Sequence, residues 1–234
     1  MTAALTVNGL RAGYGGTTVL HGVDLTVPAG AAVALLGANG AGKTTLLKTI
    51  AGTIATQGGS IALFGEDITH RPPEVRARAG VCLLPEGRGI FRNLTVRENL
   101  AMQNRGRNVG AAEEQIVARF PRLGSRMQQA AGTLSGGEQQ MLSLARALST
   151  DPSLVLADEL SVGLAPVVVD DILDAVSAMR AEGRSILIVE QYVRRVLDLV
   201  DYVYVLHKGR IVFVGEPQQC GDGTVFDQYL GATA

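Results

Sequence analysis

The segment Gly37-Ala38-Asn39-Gly40-Ala41-Gly42-Lys43-Thr44 fits the pattern G-x-x-x-x-G-K-[ST]. In a loop of this kind the backbone N–H groups converge on phosphate oxygens, and the helix that follows adds its positive end. Glycine permits the backbone angles and the close approach that this requires. Lys43 would reach the β- and γ-phosphates, and the Thr44 hydroxyl would sit on Mg²⁺. The plain alternative is an ordinary glycine turn. Against it stands the context, because an apolar run, Val33-Ala34-Leu35-Leu36, precedes the loop and a stretch of helical character, Lys43 to Ile50, follows it. A second constellation supports the first. Leu154-Val155-Leu156-Ala157 reads as a buried strand that ends in two carboxylates, Asp158 and Glu159. Successive residues at a strand end point in different directions. Asp158 would hold Mg²⁺ through its water shell while Glu159 faces an attacking water. A pair of solvated acids is the competing reading, and the phosphate loop weighs against it.

These residues need elements to hold them. Leu5 to Val7, Val19-Leu20 and Val23 to Val27 read as short strands, Ser60 to Leu63 as a further one, and Val81 to Leu84 as an apolar run stopped by Pro85. From Thr95 to about Ala130, Ile116, Val117, Phe120 and Leu123 recur at helical spacing among polar residues, which predicts a mostly helical insertion. Helices are expected over Glu138 to Leu148, Val167 to Arg180 and Tyr192 to Leu199. Strands are expected over Ser185 to Val189 and in a hairpin, Tyr202 to Leu206 with Ile211 to Val214. Buried strands that alternate with helices predict an α/β fold with a parallel sheet.

Composition narrows the setting. The chain has 234 residues, of which 47% are hydrophobic and 18% charged, with no Trp and a net charge of -1 from 21 basic and 22 acidic residues. A binder of nucleic acid or of anionic lipid would carry a basic excess, so nucleic acid is not an expected partner. No window approaches the ~18–20 apolar residues of a membrane-spanning helix. No basic start followed by an apolar stretch opens the sequence. Cys82 and Cys220 lie far apart without metal-ligand spacing. A cytoplasmic setting is therefore the expectation. The apolar content, high for a soluble chain, fits strands buried on both faces.

Between the helical stretch and the Asp158-Glu159 strand lies Leu134-Ser135-Gly136-Gly137-Glu138-Gln139-Gln140, in which Ser-Gly-Gly opens a helix and offers a second anion-binding terminus. With the phosphate loop and the acidic strand end, this order resembles the ATP-binding cassette proteins over essentially the whole chain. The resemblance implies a P-loop NTPase (RecA-like) core, an N-terminal antiparallel β subdomain and an inserted helical subdomain that carries the signature. The whole would be one domain, with residues 1–90 and 151–234 as the core and 91–150 as the insertion. It implies ATP and Mg²⁺ as ligands. Tyr14 would stack on adenine, Gly37 to Thr44 together with Thr45 would bind ATP, and Thr44, Glu86 and Asp158 would hold the metal. Lys43, Glu159 and Gln191 would be catalytic, with Glu159 as the base. Leu134, Ser135, Gly136, Gly137 and Glu138 would meet the ATP of an opposing subunit in a head-to-tail dimer.

Several positions depart from the common family pattern. Glu86 stands where Gln is usual, Gln191 where a switch histidine is usual, Leu160 where Pro is frequent and Ala165 where many members have Asp. A carboxylate does not donate a hydrogen bond unless protonated, and glutamine lacks the titratable charge of histidine. The Pro85-Glu86-Gly87-Arg88 loop, Phe91 with Thr95 to Leu100, Gly163 to Pro166 and Val189-Glu190-Gln191 resemble one branch, the shorter ATP-binding subunit of branched-chain amino acid importers. Its near relatives drive urea or short-amide uptake. The implied partners are a second ATP-binding subunit (a paralogue or a second copy), polytopic membrane permease subunits and, indirectly, a periplasmic or extracellular solute-binding protein. The chain would then be peripheral on the inner face of the membrane. Arg88 to Met102 is the expected groove for the membrane subunit, with Phe91, Leu94, Val96 and Leu100 as apolar contacts. A non-transport ATPase of the same superfamily competes with this reading, but such proteins usually carry two cassettes or a long coiled-coil insertion.

Overall fold

The computed structural model describes residues 2–103, 109–190 and 193–220. In chain order the elements are β1 (Ala3–Tyr14), β2 (Thr17–Pro28), β3 (Ala32–Leu36), α1 (Lys43–Ile50), β4 (Thr56–Leu63), β5 (Glu66–Asp67), α2 (Pro73–Arg78) and β6 (Val81–Leu84). There follow α3 (Val96–Gln103), α4 (Val109–Arg119), α5 (Pro121–Gly124), α6 (Gly136–Ser149), β7 (Leu154–Asp158) and α7 (Pro166–Ala181). The described chain closes with β8 (Ser185–Val189), α8 (Val193–Leu197), β9 (Tyr202–His207), β10 (Arg210–Gly215) and α9 (Pro217–Cys220).

Two sheets result. One is antiparallel in the order β2-β1-β4-β5, and the other is six-stranded in the order β10-β9-β3-β8-β7-β6. In the larger sheet β6, β7, β8, β3 and β9 run parallel, and β10 closes the edge as the antiparallel half of a hairpin. The central strands β3, β7 and β8 are buried at every residue. Their side chains alternate between two apolar cores, as the two-residue period of a strand dictates. Ala34, Leu36, Val155, Ala157, Ile186 and Ile188 pack with the helices α3 to α7. Val33, Leu35, Leu154, Leu156, Leu187 and Val189 pack with α1 and the antiparallel sheet. The phosphate-loop helix and the Ser-Gly-Gly helix therefore cover opposite faces of one sheet.

The N-terminal strands are longer than the sequence predicts. β1 and β2 form one hairpin of 12-residue strands. The expected break at His21-Gly22 is instead a bulge: Leu10 pairs with Val23 and Arg11 with His21, so Gly22, at φ 83, is the extra residue. Glycine breaks the apolar pattern that marks a strand, yet it is the residue that a bulge accepts. Helix α6 begins at Gly136, two positions before the expected Glu138, because Ser135 is its N-cap. Tyr192 lies outside the described residues, and α8 occupies Val193–Leu197.

Candidate functional site

Four segments that the sequence singles out leave the C-terminal ends of parallel strands, whereas Ser135-Gly136-Gly137 opens α6. The phosphate loop follows β3, the Glu86 loop follows β6, Asp158 ends β7 and Glu190 follows β8. Ligands of open α/β sheets bind in the crevice outside those ends. The phosphate loop is seated on the β9–β10 turn, since Gly209 N–H donates to the Ala41 carbonyl at 2.9 Å. Gly37 approaches Leu206 so closely that a Cβ would lie 2.2 Å from its carbonyl oxygen, so a side chain there would displace the loop. Lys43 is buried, and its Nζ donates to the carbonyls of Gly37 at 2.8 Å and Ala38 at 3.3 Å. The same Nζ lies 3.7 Å from the Glu159 carboxylate. The loop thus encloses a cation whose donors point along its own rim.

Thr44 and Asp158 meet across the crevice, with the Thr44 hydroxyl donating to Asp158 Oδ1 at 3.1 Å. Asp158 is 1% exposed. Burial pushes its carboxyl above the ordinary value, and the nearby charges of Glu159 and Glu86 push it further, against the hydrogen bond from Thr44. Three carboxylates thus load this end of β7 with negative charge, which a cation would relieve. Among the described residues no three His, Cys, Asp or Glu side chains form a group fit to hold a metal. A hydroxyl beside a carboxylate is nonetheless a hard-oxygen pair, and Mg²⁺ is usually held by one or two carboxylates together with substrate phosphates.

Glu159 adopts the left-handed backbone region at φ 47, and its N–H donates to the Val189 carbonyl at 2.9 Å. That turn takes it out of the strand register that buries Ala157 and Asp158, and its side chain is 14% exposed. Glu86 is exposed on the loop after β6. Tyr14 stands at the end of β1 and is 51% exposed, leaving a ring face open to stacking. Gln191 lies outside the described residues.

Ser135 caps α6 in a reciprocal capping box. Its N–H donates to Glu138 Oε2 at 2.9 Å, and the Glu138 N–H donates back to Ser135 Oγ at 3.4 Å. Arg126 Nε lies 2.7 Å from Glu138. The glycines that follow sit close to their neighbours: a Cβ on Gly137 would fall 2.6 Å from Val168 of α7, and one on Gly136 would lie 3.0 Å from the Arg88 guanidinium, the movable end of a long side chain. Arg88 also donates to Gln139 Oε1 at 2.6 Å. Arg146, two turns further along α6, donates to the Gly89 carbonyl and lies over the Phe91 ring at 5.1 Å from its centroid. The Glu86 loop therefore rides on the signature helix. Neither contact is visible in sequence spacing, because Arg88 meets Gln139 and Arg146 meets Gly89 across more than fifty positions. In the expected membrane groove, Phe91 is 46% exposed and Met102 57%, whereas Val96 and Leu100 are buried in the core and serve packing. No described helix is long and apolar enough to cross a membrane.

A parallel sheet with a phosphate loop at β3 and an acidic strand end at β7 defines a P-loop ATPase cassette. The family described as ABC transporter matches residues 20–162. The chain is 44% identical to the high-affinity branched-chain amino acid transport ATP-binding protein BraG of Pseudomonas aeruginosa, over 85% of this chain and 87% of that protein. It is 36% identical to a probable branched-chain amino acid transport ATP-binding protein, LivF, of Archaeoglobus fulgidus, over 94% of both. It is 35% identical to the lipopolysaccharide export system ATP-binding protein LptB of Escherichia coli, over 98% of both. Among solved structures, the ADP conformation of an ATP-binding cassette of an ABC transporter superposes with a TM-score of 0.84 at 26% identity, covering 97% of this chain and 96% of that one. The chain belongs to the ABC transporter family, as an ATP-binding subunit that hydrolyses ATP.

Proposed function

We propose that this chain energises the import of branched-chain or other hydrophobic amino acids by closing on a second cassette when ATP binds. The solute class rests on the 44% identity to BraG, set against 35% to the lipopolysaccharide export subunit. Urea or a short amide is the alternative solute class. The observation that carries the mechanism is the placement of α1 and α6 on opposite faces of the sheet. A Ser135-Gly136-Gly137 terminus on the far face is suited to the ATP of a second, head-to-tail subunit rather than to its own. The proposed division has residues 1–90 and 151–234 as the ATP-binding core and 91–150 as the helical part.

In this reading the adenine stacks on Tyr14 and the phosphates enter the loop from Gly37 to Thr45. Lys43 turns from its rim carbonyls to the β- and γ-phosphates. Thr44, Glu86 and Asp158 would hold a magnesium ion. Such an ion, when bound, would supply positive charge to offset that of the phosphates. Glu159 accepts the proton of the attacking water as the water oxygen bonds to the γ-phosphorus and the bond to the bridging oxygen breaks, its electron pair passing to ADP. Gln191 donates to the γ-phosphate in place of the usual histidine. Closure follows because ATP interacts with two surfaces in the closed pair and with one in the open state.

Phe91 and Leu94 form the apolar contact for polytopic membrane subunits, through which the chain is held peripherally on the inner face of the membrane. A solute-binding protein outside the membrane would supply the cargo. The test is affinity purification of the chain from detergent-solubilised membranes. Recovery with a polytopic subunit whose gene adjoins that of an amino-acid-binding protein supports the proposal. Recovery with ribosomes or DNA-repair proteins contradicts it.

A further inference from the structure

Glu190 follows β8 and is 4% exposed, a carboxylate for which neither phosphate binding nor metal binding accounts. It accepts the Ser161 N–H at 3.1 Å and, in a second contact, the Ser161 hydroxyl. Ser161 is itself 1% exposed. The neighbouring residue of β8 holds the other end of the same turn, since the Val189 carbonyl accepts the Glu159 N–H at 2.9 Å. The segment Glu159-Leu160-Ser161 is thus gripped at both ends by the terminus of β8, with Leu160 anchored in the apolar core at 2% exposure. Between those grips Glu159 takes a left-handed conformation at φ 47, which an L side chain adopts at a cost and keeps only when its surroundings over-determine it.

Burying a carboxylate is unfavourable unless charge-assisted hydrogen bonds offset the lost hydration. Both donors of Ser161, its N–H and its hydroxyl, meet the buried Glu190 side chain and so tie the turn that follows Glu159 to the end of β8. We propose that Glu190 is a positioning residue for ATP hydrolysis: its grip on Ser161 fixes the left-handed turn that aims the Glu159 carboxylate at the attacking water. The inference rests on the reading of Glu159 as the base.

The test uses the full-length chain, with steady-state hydrolysis measured against ATP concentration for Glu190→Gln, Ser161→Ala, the double variant, Ser161→Thr and Glu159→Gln. A misaimed base lowers kcat, because displacements on the order of 1 Å cost up to ~10²-fold. The expected result is a fall in kcat of about tenfold or more in each of the first two variants, with KM for ATP within about twofold of wild type. The double variant falls no further than the worse single one, because both changes act on the same pair, the Ser161 hydroxyl and the Glu190 side chain. Ser161→Thr, which keeps both donors, retains most of the turnover.

Wild-type kcat in Glu190→Gln and Ser161→Ala, with turnover lost in Glu159→Gln, would overturn this inference alone. Full turnover in Glu159→Gln would overturn the base assignment and this inference with it. Additive losses in the double variant would also overturn it. So would a fall in kcat that tracks a raised KM and a lowered melting temperature, or no recovery in Ser161→Thr, since those are the marks of a packing defect.

Discussion

Replacing Glu159 by Gln removes one proton acceptor and one negative charge and changes little else. The side chain is 14% exposed, so an isosteric amide fits without new burial. The backbone stays at φ 47 in both proteins, so its strain cancels in the comparison. The hydrogen bond from Glu159 N–H to the Val189 carbonyl is also untouched. On the proposed role of Glu159, what is lost is general-base assistance, worth ~10²–10⁴ in rate, which corresponds to about 3–5 kcal/mol of transition-state stabilisation. Binding should move the other way. The lost charge sits 3.7 Å from Lys43 and beside Asp158, where a γ-phosphate brings further negative charge. Its removal frees Lys43 and eases the crowding of anions, so ATP affinity stays equal or rises, and the closed pair accumulates. The assay is phosphate release at saturating ATP, together with ATP titration and sedimentation of the ATP-bound protein. Phosphate release within about threefold of wild type, a difference below 1 kcal/mol, would refute the role of Glu159.

Other outcomes follow from the same geometry. Lys43→Ala should cut turnover by on the order of 10²–10³-fold, the usual cost of one donor to developing charge, and unchanged turnover with an unchanged ATP titration would contradict its placement. Asp158→Asn should raise the melting temperature of the ligand-free protein at neutral pH while abolishing metal-dependent hydrolysis. Burial holds the Asp158 carboxyl above its ordinary 3.8, so the native state binds more protons than the unfolded chain between the two values, and stability falls as pH rises through that window. The gain should vanish below the ordinary carboxylate range, and an equal gain at low pH would show that it has another cause. Phe91→Asp should keep hydrolysis within about threefold of wild type yet lose co-purification with membrane subunits, because the ring is 46% exposed; retained assembly would show that the groove lies elsewhere.

The phosphate loop, the acidic strand end and the signature were legible because each is a short run whose chemistry sits in consecutive residues. The parallel sheet was legible for a related reason: apolar runs such as Leu154 to Ala157 have no polar alternation, which marks strands buried on both faces. Contacts that join distant stretches were not. The contact of Glu190 with Ser161 exists only once β8 lies beside β7, and that of Arg88 with Gln139 only once α6 is laid against its loop. Arg76 shows the same limit. It lies in a polar stretch, yet it is 3% exposed and donates to the carbonyls of Thr49 and Ile50 at 2.8 Å each, satisfying the C-terminal end of α1. Its partners are backbone atoms and leave no trace in side-chain chemistry. The length of β1 and β2 was hidden by glycines that interrupt the apolar pattern but serve the bulges. The expected contacts Val96 and Leu100 went to the core because interface and interior share a composition.

Uptake of labelled leucine by cells lacking the gene for this chain tests the central claim most directly, with the gene restored either as wild type or as Glu159→Gln at matched expression. The account predicts that uptake is lost on deletion, returns with the wild-type gene and stays absent with the variant. Uptake that survives deletion, or that Glu159→Gln restores, would contradict it.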